Sequence, residues 1–227
     1  MSERVYLRPT GFVDAPFGHD GKVARLAGGL LWFSAVELLE VRDGRLAAEL
    51  IPVEGVERRL DEAGRAAWEN IVRPRPALTL GERVIRLDQP QVMGIVNVTP
   101  DSFSDGGAHA DPDVAIRTGH DMAAAGAALI DVGGESTRPG SKPVWEQDEI
   151  ERVQPVVRQL AAAGTAISVD TRKGAVMEAA LAAGAGLVND VSGLLFDDRS
   201  PEIVARAGCP IVLMHHHGSP EMMQEAV

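Results

Sequence analysis

From residue 91 onward, apolar and polar positions fall in blocks, and four blocks share one pattern: "AAAGAALIDV", "AAAGTAISVD", "LAAGAGLVND" and "ARAGCPIVLMH". Each reads as the Ala-rich end of a helix, a Gly, a short apolar run and a polar residue. Gly126, Gly164, Gly184 and Gly208 stand where a helix ends in the left-handed conformation that Gly adopts without steric cost. The apolar runs do not alternate, as expected of parallel strands covered on both faces. Helices are predicted between them. One begins at Asp111-Pro112, a capping acid before a Pro at the first helical position. One runs from about Glu146 to Ala163 with a kink at Pro155. A third follows Thr171 and ends near Ala183, and a short one starts at Pro201.

Strand and helix alternating at this spacing predict βαβ units and a parallel sheet. The stretch "MGIVNVTPDSFSDGG", residues 93–107, supplies a further strand at its start. Five successive strands then close on Asn97, Asp131, Asp170, Asn189-Asp190 and His215. A doubly wound sheet needs chemistry only at its switch point. Five polar strand ends in a row point instead to a (β/α)8 TIM barrel, whose strand C-termini converge on one mouth. Residues 1–90 lie outside the repeat. "LTLGERVIRL" predicts a hairpin turning at Gly81-Glu82 and able to plug the bottom of the barrel. "LLEVRDGRLAAELIP" predicts another around Asp43-Gly44, "RRLDEAGRAAWENIV" has helical spacing, and "VRPRPAL" reads as a linker. The expected organisation is a small α+β extension over 1–75 and a barrel domain over 76–227.

Composition narrows the class. The 227 residues are 45% hydrophobic and carry a net charge of −11, which argues against nucleic acid or an anionic membrane as the main partner. The single Cys209 fits a reducing compartment. "MSERVYLRPT" has no apolar signal core, and "LAGGLLWFSAVELL" is too short for a membrane span, so the expectation is cytoplasmic.

Three motifs fail on inspection. "DSFSDGGAHADP" imitates a calcium loop, but Phe103 and Pro112 occupy ligand positions. The "NVT" triplet at Asn97 has no meaning for glycosylation in a cytoplasmic chain. His215-His216-His217 lacks a completing Cys or Glu, and adjacent side chains on an extended chain diverge. "IDVGGESTRPGS" is richer. Its double Gly permits close backbone approach, and its hydroxyls and Arg138 suit phosphate oxygens; a plain surface loop is the alternative. Asp170 and Asn189, an acid and an amide at neighbouring strand ends, can read the edge of a planar heterocycle, or else cap the helices that follow. Taken together with the loop, they describe a flat hydrogen-bonding ring bearing phosphate.

"MGIVNVTPDSFSDGG" and "GAALIDVGGESTRPGS" resemble the two signature segments of the dihydropteroate synthase family, and "SVDT", "VNDVSG" and "VLMHHHGSPEMMQ" follow at matching spacing. The resemblance covers about residues 78–227. It implies a transferase of folate synthesis that joins 4-aminobenzoate to 6-hydroxymethyl-7,8-dihydropterin diphosphate and releases diphosphate with the help of Mg²⁺. It places Asn97 by the metal and diphosphate, and Thr137 against the ligand. It assigns pterin reading to Asp170 and Asn189, with Asp131 among the substrate-binding positions and Met214 packed near the ring. Phe103, Arg138, Pro139 and Ser141 would lie where the two signature loops close over aminobenzoate, Arg138 also as a catalytic candidate. A homodimer is implied as well.

Two further expectations concern extent and alternatives. An eight-stranded barrel takes about 250 residues, whereas five strands are legible here, so the family's last three strands and their "DPGFGFGK", "SRK" and "R-x-H" segments are expected to be missing. The alternatives are a catalytically inactive pterin-binding remnant or partner, and a methyltetrahydrofolate-type methyltransferase domain, against which "ESTRPGS" argues.

Overall fold

The computed structural model describes residues 4–42, 45–99, 111–136 and 143–215. The chain divides into two compact units, Met1–Ala77 with Arg86–Pro90, and Leu78–Ile85 with Gln91–Val227.

The first unit is built on strands β1 (Arg4–Val13), β2 (Ala24–Arg25), β3 (Trp32–Arg42) and β4 (Arg45–Pro52), followed by helices α1 (Val56–Arg59) and α2 (Glu62–Val72). β3 is central: β1 pairs antiparallel along one edge, and β4 and the short β2 along the other. Residues Arg42 and Arg45 face each other across the expected turn at Asp43-Gly44, which itself lies outside the described residues. Asp61 caps α2 by accepting from the Gly64 N–H at 2.8 Å. Phe33, Val36, Ile51, Val56 and Trp68 close a small core of their own, with Phe33 edge-on to Trp68. The greasy stretch around Trp32 and Phe33 is thus largely a strand.

The second unit begins with the hairpin β5 (Leu78–Leu80) and β6 (Arg83–Ile85), turning at Gly81 with φ 62°. Among the described residues, five strands alternate with four helices: β7 (Met93–Asn97), α3 (Pro112–Ala124), β8 (Leu129–Gly133), α4 (Glu146–Ala162), β9 (Ile167–Asp170), α5 (Gly174–Ala183), β10 (Leu187–Asp190), α6 (Ser200–Ala207) and β11 (Ile211–Leu213). The five strands are parallel and lie side by side in chain order. A doubly wound sheet would reverse direction at a switch point. An order that never reverses is the winding of a (β/α)8 barrel wall, here five strands wide.

The helix starts and stops follow the sequence signals closely. Asp111 caps α3 through the Asp113 N–H, and Gly126, Gly164, Gly184 and Gly208 all have positive φ. Pro155 neither breaks nor ends α4; burial of Val153, Val156, Val157 and Leu160 on that helix offsets the lost backbone bond. Two expected strand ends move. Asp131 is the third residue of five in β8, and β11 stops at Leu213, two residues short of His215.

One sheet face packs Val96, Ile130, Val132, Ile167, Val169 and Val188 against the helices. At the N-terminal ends of the strands, Leu80 and Ile85 of the hairpin cluster with Leu129, Ala166 and Leu187, and Arg83 donates to the Gly164 carbonyl at 2.8 Å. The hairpin therefore closes the bottom of the wall. The other sheet face is the barrel interior, and it is open at both edge strands: Ile95 is 55% exposed and Val212 49%.

Helices α3 and α4 approach closely at Gly119, where a Cβ would come within 2.7 Å of Leu160 Cδ1. Leu160 is fully buried and has nowhere to retreat. Gly119→Val is expected to cost about 1–3 kcal/mol by overpacking, read as a lowered urea midpoint. An unchanged midpoint would show that the contact yields freely. Among the described residues, no helix is long and apolar enough to cross a membrane.

Candidate functional site

The register of the parallel sheet assembles the site. Asn97 pairs with Gly133, Gly133 with Asp170, and Asp170 with Asn189, so four strands contribute to one row at their C-terminal ends. Side chains alternate along a strand and stay in phase across a register, so this row shares the interior face. Gly133 is the gap in it: a Cβ there would lie 3.5 Å from Asp170 Oδ2 and 3.6 Å from Asn97 Oδ1. A glycine at this point leaves a space bordered by an amide and an acid.

Two residues deeper, the row Ile95, Asp131, Ser168 and Leu187 forms the floor on the same face. Asn189 Nδ2 donates to Asp131 Oδ2 at 3.0 Å. The other Asp131 oxygen, Ser168 Oγ and Asp170 Oδ1 are buried without any hydrogen-bond partner. Buried polar atoms are almost always satisfied, and unsatisfied ones clustered together point to a ligand that satisfies them. Burial, then the negative charges of Asp131, Glu149, Asp190 and Glu135, push the Asp170 carboxyl up to about 7. Neither Asp170 nor Asn189 caps a helix, which removes the bland alternative. Asp190 instead caps the backbone turn that follows β10. It is fully buried on the helix side and accepts from the Ser192 and Leu194 N–H groups.

Beside the row stands a buried ionic clamp. Lys173 Nζ reaches Glu149 Oε2 at 2.5 Å, the Val144 carbonyl at 2.6 Å and Glu135 Oε2 at 3.2 Å. The Thr171 hydroxyl donates to Glu149 Oε1 at 2.7 Å, and the Val144 N–H donates to Glu135 Oε1 at 2.9 Å. Burial raises the Glu135 carboxyl, but the Val144 N–H, Arg172 and Lys173 outweigh it and hold it below the usual carboxylate range. Residues 135 and 144, which flank the "STRPGSKP" segment, are thereby fastened to each other and to the β9–α5 turn. A cleft of about 420 Å³ opens next to this clamp, lined by Val144, Trp145, Lys173, Phe196 and Arg199. It includes none of Asn97, Asp170 and Asn189 and is not the space between the strand ends.

The family model described as pterin binding enzyme matches residues 93–227, more than half of the chain. The chain belongs to the pterin-binding enzymes. Among curated relatives, it is 52% identical over 125 residues to the dihydropteroate synthase of Mycobacterium leprae, a match covering 55% of this chain and 44% of that one. It is 48% identical over 141 residues to the dihydropteroate synthase of Escherichia coli, covering 62% and 50%. Among solved structures, Xanthomonas albilineans dihydropteroate synthase with 4-aminobenzoic acid superposes with a TM-score of 0.59 at 50% identity, covering 63% of this chain and 52% of that one. The chain spans about half the length of the curated relatives it matches.

In this pterin-binding enzyme, the structure brings Asn97, Asp131, Asp170 and Asn189 to one face. Met214 follows β11, its N–H on the Asp190 carbonyl at 3.2 Å, and is half-buried. Phe103, Thr137, Arg138, Pro139, Ser141, His216 and His217 lie outside the described residues. Sequence reasoning missed the clamp, although it left a signal. Glu149, Val153, Val156 and Leu160 fall on one stripe of α4, and an acid on a buried stripe requires a buried cation. Glu135, at the start of the "ESTRPGS" loop, commits its carboxylate to Arg172, Lys173 and the Val144 N–H.

Proposed function

We propose that this chain acts as a dihydropteroate synthase, condensing 4-aminobenzoate with 6-hydroxymethyl-7,8-dihydropterin diphosphate and releasing diphosphate. The observation that carries this reading is the row itself. A buried Asp170 oxygen without a partner and a half-exposed amide, Asn189, stand side by side at strand ends. They match the donor-bearing edge of a pterin ring and hold it edge-on. Met214 packs against the ring. Asn97 sits across the Gly133 gap, by the diphosphate. Thr137 and Arg138 contact the ligand, and Phe103, Pro139 and Ser141 cover aminobenzoate.

Asn97 offers one neutral oxygen, the donor type Mg²⁺ takes together with waters and substrate phosphates. Its Oδ1 borders the gap that a Cβ at Gly133 would enter, so the residues present fit such an ion. Mg²⁺, when bound, supplies charge stabilisation to the departing diphosphate. The chain's own task is positioning. The arylamine nitrogen attacks the pterin methylene carbon, the carbon–oxygen bond to diphosphate breaks, and the amine loses its proton. An aromatic amine needs no strong base for this, and excluding water protects the electron-poor carbon. We assign the protein to the cytoplasm, and to a homodimer when its barrel is complete.

The gene in its natural reading frame, introduced into a bacterial strain deleted for dihydropteroate synthase, is expected to restore growth without added folate end-products. The purified product should convert both substrates to dihydropteroate with Mg²⁺ present. Failure of both, with soluble protein, would refute the reading.

A further inference from the structure

We propose that Asp131 is a positioning residue that locks the Asn189 amide, so that the barrel floor offers hydrogen-bond acceptors and selects ligands whose buried edge carries an amino group over those carrying an oxo group. The inference rests on the pterin reading above. Asp131 is 3% exposed in the middle of β8, and its Oδ2 receives Asn189 Nδ2 at 3.0 Å. A carboxylate can only accept, so the nitrogen of the Asn189 amide must be the atom that faces it. The Asn189 oxygen is then turned away from Asp131, and it makes no hydrogen bond to another described residue.

The consequence is a matched set. Asn189 Oδ1, Asp131 Oδ1 and Asp170 Oδ1 belong to two adjacent rows of one sheet face, and the two carboxylate oxygens are buried with no partner. Ser168 Oγ, fully buried in the deeper row, is the one group there able to play either part. In the free protein this arrangement is costly, because two acids share a buried face and half of the Asp131 lone pairs are unused. A ligand edge bearing an exocyclic amine and ring N–H groups satisfies the set, whereas an oxo group at the amine's position would set oxygen against oxygen.

The test is calorimetry on the full chain with two probes, 6-hydroxymethyl-7,8-dihydropterin and its 2-oxo counterpart, a dihydrolumazine. The wild type should prefer the 2-amino probe about 10-fold or more, the scale of one unsatisfied buried group. Asp131→Asn keeps the shape but lets the Asn189 amide adopt either orientation, so the preference should fall to about 3-fold or less. A merely structural role predicts that both probes weaken by one common factor with their ratio unchanged. That result overturns the proposal, as does a wild type without preference. If the wild type binds neither probe, the pterin reading fails separately. The orientation is then read by NMR in the free chain: slow exchange of the Asn189 side-chain amide protons that accelerates in Asp131→Ala supports the lock, and an unchanged rate overturns it.

Discussion

Lys173→Met is expected to destabilise the barrel unit by about 3–5 kcal/mol, the cost of removing one partner from a buried ion pair. Glu149 is fully buried, and Lys173 is its only cationic partner among the described residues. Met fills the volume of the lysine stem but leaves the Glu149 charge facing only the Thr171 hydroxyl. The same change releases the Val144 carbonyl and removes one of the three groups that hold Glu135. With unfolding free energies of domains near 5–15 kcal/mol, the loss should appear as a large drop in the urea midpoint or as insoluble protein. The double variant Lys173→Met/Glu149→Gln removes the orphaned charge and should recover most of the loss. A single variant with wild-type stability, or a double variant no better than the single one, would show that the pair is not a unit.

Asp170→Ala should abolish pterin binding while the fold persists, and Asn189→Ala should weaken it by about 1–3 kcal/mol. Alanine at position 170 removes the unpartnered Oδ1 and relieves like-charge repulsion from Asp131, so the free protein should lose no stability. Wild-type affinity in either variant would sink the ring-reading role. The pH dependence has a definite sign. The Asp170 carboxyl in the folded chain lies near 7, above its value of 3.8 in the absence of burial. The folded state therefore holds an extra proton between about pH 4 and 7, and the Asp170 contribution to stability is fully present below that window and lost as pH rises through it. Binding runs the other way. An ionised Asp170 is the better acceptor, so pterin affinity should rise as pH increases through about 7 and level off above. This rise should vanish in Asp170→Asn. An affinity flat from pH 5.5 to 8.5 in the wild type would show that Asp170 does not titrate in the site.

What the amino-acid order determined by itself is what depends on local chemistry. A glycine after an Ala-rich run takes positive φ whatever surrounds it, so all four helix ends in the barrel unit were legible, as was the Asp111 cap. Short unalternating apolar runs require cover on both faces, which yielded the parallel strands and their order. Asn97, Asp170 and Asn189 could be singled out because each terminates such a run. Tertiary structure decided the rest, because register between strands lying some 20–40 residues apart is set by packing and not by neighbouring residues. Register placed Gly133 between Asn97 and Asp170, set Asp131 one row deeper as the partner of Asn189, and turned the adjacent Asp190 to the opposite face. It also joined Glu135, Glu149 and Lys173, which stand in three separate segments of the chain, into one clamp. A carboxylate's role follows from which partners reach it, and those partners arrive only when the sheet closes around them.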